Sequence, residues 1–148
     1  MDTASRAENA TMAFDLERFV AAQEGVYPGV VDELGRGRKT GHWIWFIFPQ
    51  LAGLGRSSTS RFYGLASLAE AQAYLAHPVL GGRLRASAEL LLTVAPKSAA
   101  DILGELDATK VRSSMTLFAR AAPDEPVFRR VLDHYFGGEL DEATTSRV

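Results

Sequence analysis

The stretch "DEPVFRRVLDHYFGG" near the C-terminus places Val127, Phe128, Val131, Leu132, Tyr135 and Phe136 along one stripe of a 3.6-residue repeat and ends at Gly137. A helix of about three turns does not hold in water by itself, so its apolar stripe must be buried against other elements. The chain supplies several of the same kind. "FDLERFVAAQ" sets Leu16, Phe19 and Val20 at helical spacing with Asp15 as an expected N-cap. Gly25 and Pro28 interrupt that pattern before Val30, Val31 and Leu34 resume it, which fits one kinked helix or two short ones. "SLAEAQAYLAHP" opens on a capping box, Ser67 with Glu70, and is stopped by Pro78. "GGRLRASAELLLTVA" aligns Leu84, Ala88, Leu91, Leu92 and Ala95. "SAADILG" lies between Ser98 and Gly104, and "DATKVRSSMTLFARAA" follows. No internal repeat and no dividing linker is present. The expected fold is an all-α, compact single-domain bundle of about seven to nine mostly short helices over residues 13–148, after a disordered tail at 1–12.

Composition narrows the chemistry. The 148 residues include no cysteine, which excludes disulfides, thiolate metal sites and a cysteine nucleophile. His42, His77 and His134 are scattered and the acids form no metal-ligand pattern, so neither metal nor cofactor is expected. No apolar run reaches the roughly 18 residues of a membrane helix. The polar opening "MDTASRAENATM" has no secretory character, and a cytoplasmic location is expected. The net charge of −2 conceals a partition. Residues 34–88 carry Arg36, Arg38, Lys39, Arg56, Arg61, Arg83 and Arg85 against Glu70 alone, while both flanks are acidic. A basic centre in an acidic chain suits focusing a small anion better than tracking a nucleic acid.

Three stretches carry candidate residues. In "RKTGHWIWFIFPQ" the run Trp43–Phe48 reads as a buried strand or, favoured by the helical remainder of the chain, a short buried helix. A helix starting at Thr40 would turn its free N–H groups toward an anion held by Arg38 and Lys39. His42 would act as a neutral base, and Trp43, Trp45 and Phe46 would offer a stacking surface. "GLGRSSTSRFYG" brings two glycines, Ser57, Ser60 and Arg61 together, the material of an anion cradle or of a loop whose serine caps the next helix. In "KVRSSMTLF", Lys110, Ser113 and Ser114 are expected to share one side of a helix, and Arg112 and Thr116 another. Paired serines in a helix point to close packing or to anion contact.

"GRKTGHWIWFIFPQLAGLGRSSTSRFYG", "RSSMTLFARA", "SLAEAQAYLAHPVLGGRL" and "VFRRVLDHYFGGELD" together resemble a bacterial family, domain of unknown function 1810, from Phe14 onward. The resemblance implies an all-α single-domain fold and carries over no activity and no catalytic residue. The expected function is binding of a small anionic, nucleotide- or phosphate-like ligand by the basic, aromatic 36–61 segment and the 110–116 helix, with turnover through His42 left open. The alternative is a helical interaction module whose basic face meets an acidic protein partner.

Overall fold

The computed structural model describes residues 14–94 and 97–148; the tail expected over 1–12, and Ala95 of the stripe above, lie outside them. The described residues form ten helices and no strand, one helix more than the upper end of the expected range. In chain order these are α1 Glu17–Gln23, α2 Tyr27–Arg36, α3 Ile44–Ile47, α4 Ser58–Phe62, α5 Leu68–Ala76, α6 Leu80–Leu92, α7 Ala99–Leu103, α8 Glu105–Ala121, α9 Pro126–Phe136 and α10 Glu142–Thr145.

α8 runs through the centre. Every residue from Ser113 to Phe118 is buried, because α5, α7, α9 and α10 pack around it and α3 touches it. α6 is the second hub and carries α2, α5 and α9. One chain of rings ties four helices together. Phe19 of α1 meets Tyr74 of α5 edge-on at 5.1 Å, Tyr74 lies 5.6 Å from Phe118 of α8, and Phe118 lies 5.8 Å from Phe128 of α9. Such pairs add about 0.5–1.5 kcal/mol each beyond the area they bury. The Tyr74 hydroxyl accepts from Gln23 Nε2 at 3.2 Å, and burial pushes its pKa up.

Local signals decide most boundaries. Ser67 accepts from the Glu70 N–H and Ser98 from the Asp101 N–H, so both N-caps stand where expected. Pro28 occupies the first turn of α2, where its missing N–H costs nothing, and two short helices result rather than a kinked one. Val30 and Leu34 are buried, whereas Val31, about 100° further round, is exposed. Asp15 is not a cap: Leu16 holds that position, and the Asp15 carbonyl accepts from the Arg18 guanidinium.

The aromatic run is a helix, as favoured, but it spans only Ile44–Ile47. The expectation of a start at Thr40 is corrected. The Thr40 and Gly41 N–H groups turn back to the Glu33 carboxylate, at 2.6 and 2.8 Å, so residues 38–43 form a loop folded over the end of α2. His42 is therefore an exposed loop residue outside any helical first turn. After Pro49 the chain pairs briefly with the segment following α4. Leu65 N donates to Gln50 O at 2.9 Å and Ala52 N to Leu65 O at 2.7 Å, a single parallel bridge.

Candidate functional site

The loop that the basic residues were expected to open to an anion already holds one of the protein's own. Glu33 Oε1 accepts from Thr40 N, Gly41 N and, at 3.0 Å, Trp43 Nε1. Partial burial pushes the Glu33 carboxyl up, but the three hydrogen bonds outweigh it and hold the group below its ordinary 4.5. The sign follows: this carboxylate contributes stability above its unfolded-state pKa, and the contribution disappears as pH falls through the lowered folded value. In a pH titration of the indole ¹H–¹⁵N resonances, the Trp43 signal is expected to titrate with a midpoint below the ordinary 4.5. A midpoint at or above 4.5 would contradict this anchoring.

Lys39 is also engaged from within. Its ammonium lies 2.7 Å from Asp107 Oδ2 with a side chain only 7 % exposed, and it donates to Gly41 O at 2.5 Å. Lys110 reaches the other Asp107 oxygen at 3.2 Å. Burial pushes the Asp107 carboxyl up, and its bonds and charge contacts with both lysines reverse that and bring it below the ordinary carboxylate range. Each lysine also stands over an indole, Lys39 over Trp43 and Lys110 over Trp45, both 5.1 Å from the ring centre. Trp43 itself is 2 % exposed and packs on Phe48, which corrects the expectation that it offers a stacking face.

A cleft lies beside Trp45 of the aromatic helix. Trp45, Gln50, Leu51, Gly55, Ser60, Tyr63 and Gly64 line it. The space it encloses is about 10 Å³, room for one water-sized group, beneath a wider mouth. The Trp45 indole N–H is buried here without a hydrogen-bond partner. Two glycines make the walls close. A Cβ on Gly64 would come within 2.8 Å of Ala52 Cα, and one on Gly55 within 2.5 Å of Ser60 Oγ. Ser57 caps α4 by accepting from Ser60 N and pairs with the Ser60 hydroxyl at 2.8 Å. Ser60, Tyr63 and Gly64 share the cleft side of that turn, whereas Arg61 and Phe62 are exposed and Arg61 is not part of the lining.

The 110–116 residues part company. Lys110 goes to Asp107 and Trp45, while Ser113 donates to Asp141 Oδ2 at 2.9 Å, so the two do not serve one site. Arg112 donates to the carbonyls of Glu139 and Leu140. Thr116 accepts from Asp141 N, and Asp141 caps α10. Arg112, Ser113 and Thr116 thus fasten residues 139–144 onto the central helix. Ser113 and Thr116 also donate to the carbonyl four residues back, but the fully buried Ser114 hydroxyl finds no partner.

Of the expected site residues, Arg38 and His42 are exposed on the loop and Lys39 and Trp43 are bound beneath it. Ser60 lines the cleft, Ser57 pairs with the Ser60 hydroxyl outside the lining, and Lys110 stands over the Trp45 ring. Three of the seven basic residues of the segment meet acids of the flanks. Arg36 pairs with Asp32, Lys39 with Asp107 and Arg85 with Glu125. Among the described residues, no group of three or more acids or histidines is placed to hold a metal, and no helix is long and apolar enough to cross a membrane.

The crystal structure of the hypothetical protein Rv1873 from Mycobacterium tuberculosis is similar to this chain, at 51% sequence identity and a TM-score of 0.89, covering 90% of this chain and 96% of that one. No curated protein matches it. The model of the family described as "Protein of unknown function (DUF1810)" matches residues 13–148, and the chain belongs to that family.

Proposed function

We propose that the protein binds a small anionic ligand, and that the charged end of the ligand enters the cleft beside Trp45. The observation that carries this reading is the Trp45 indole N–H. It is a donor-only group, buried, facing no acceptor of the protein, with the Lys110 ammonium over its ring. A buried donor left unpaired costs about 1–3 kcal/mol, and an incoming oxygen recovers that cost. Ser60 and Gln50 add groups that can donate at the same wall. The enclosed space takes one small group, so a nucleotide-sized ligand would keep its remainder outside.

Isothermal calorimetry with a panel of carboxylates, phosphates and nucleoside monophosphates tests this. Saturable binding is expected, weakened about tenfold in Trp45→Phe, which keeps a ring and removes the donor. Absence of heat for every compound, or equal affinity in the variant, would count against the cleft. That result would favour the second reading, an interaction face for an acidic protein. Phe62, 56 % exposed, and the neighbouring exposed Arg61 lie off the cleft lining and support that reading.

A further inference from the structure

Resting on that reading, we propose that the group the cleft admits is a carboxylate, carrying one negative charge, and not a phosphate dianion. The lining supplies an indole N–H, a primary amide, a serine hydroxyl and a tyrosine; it includes neither arginine nor carboxylate. No cation belongs to the lining; Lys110 stands over the Trp45 ring and is shared with Asp107 at 3.2 Å. The opposing charge on offer is therefore less than one full unit. The cost of taking an ion out of water grows with the square of its charge, so a dianion loses about four times what a monoanion does on entering. Sites for phosphate dianions meet that cost with arginine forks or with a fan of helix N-terminal N–H groups. Neither is present here. The helices that carry lining residues, α3 and α4, are only four and five residues long, and the Ser60 N–H of α4 is already accepted by Ser57.

Lys110 is the side chain that moves to meet the ligand. It is 25 % exposed, and its partner Asp107 retains Lys39 at 2.7 Å when Lys110 turns away.

The chain has only two tryptophans, so its indole N–H resonances report both states side by side. Trp43, bound to Glu33, serves as the internal reference. The experiment titrates acetate, acetamide and methyl phosphate at about pH 7.5, where the phosphate monoester is a dianion. Acetate is expected to move the Trp45 resonance saturably, with an affinity about tenfold or more above that of the other two, and to leave Trp43 in place. Tighter binding of methyl phosphate, or acetamide binding as well as acetate, would overturn the carboxylate assignment while leaving a ligand cleft standing. If none of the three moves Trp45, the cleft reading falls together with this one.

Discussion

Replacing Asp107 with alanine is expected to lower the stability of the fold by about 3–5 kcal/mol, measured by urea denaturation. The loss comes from Lys39, not from the carboxylate itself. Lys39 has a side chain 7 % exposed, and among the described residues Asp107 at 2.7 Å is its only anionic partner. With that partner gone, an ammonium is left in the interior with the Gly41 carbonyl as its remaining acceptor. Lys110 contributes little to the loss, because it is 25 % exposed and can turn to solvent. The double variant Asp107→Ala/Lys39→Met separates the two effects. Removing the buried charge as well as its partner should restore most of the lost stability, since a buried pair is often replaced by apolar groups at little cost. A loss below about 1 kcal/mol in the single variant would mean that water reaches Lys39 and that the bridge is not what fixes the loop.

That bridge also shows where the sequence was readable and where it was not. The helices were readable because their information is local. The stripe from Val127 to Leu132 recurs every three to four residues, Ser67 and Ser98 sit three residues before the N–H groups they accept, and Gly137 follows the last turn of α9. The site was less readable because its contacts join residues far apart. Asp107 lies in the acidic C-terminal third and Lys39 in the basic centre, and nothing in the periodicity of either segment brings them together. The charge partition was a true signal with two meanings. Opposite charges in separate parts of a chain can recruit a ligand or can recruit each other. Here Asp32, Asp107 and Glu125 take up Arg36, Lys39 and Arg85, while Glu33 fills the loop that an outside anion would have used.

The same reasoning explains why Trp45 rather than Trp43 marks the cleft. The two stand two residues apart, Trp43 just before the short helix and Trp45 within it, and in the sequence they are equivalent members of one apolar run. Their N–H groups are distinguished only by what folds against them. Trp43 meets Glu33 from α2, and Trp45 meets a wall made by Gly55, Ser60 and Gly64, which carries no acceptor for it. The glycines were visible in the sequence as permissive residues, but their purpose was not. Gly64 is needed because the backbone of Ala52 lies against it, a contact made through the Leu51–Leu65 bridge.

That wall is held from behind by an ion pair, and removing it gives the second large effect. Glu70→Ala is expected to destabilise the protein by about 3–5 kcal/mol. Glu70 is 3 % exposed, lies 3.2 Å from Arg18 and accepts from Ala66 N at 2.7 Å. Arg18 in turn donates to the carbonyls of Phe62 and Gly64, so a single guanidinium and its carboxylate fasten residues 62–66 to α1 and α5. Alanine leaves the guanidinium without its anion and the Ala66 N–H without an acceptor. Glu70→Gln removes the charge and keeps an oxygen for Ala66, so its loss should be smaller and the protein should remain folded at room temperature. In that variant the wall loosens while the Glu33 anchor is untouched. The Trp45 indole resonance is therefore expected to shift and broaden, and the Trp43 resonance to stay where it is. An unmoved Trp45 signal in a destabilised Glu70→Gln protein would show that Arg18 and Glu70 support the core alone. Coupled changes would show that the geometry of the cleft depends on a salt bridge on the far side of its wall.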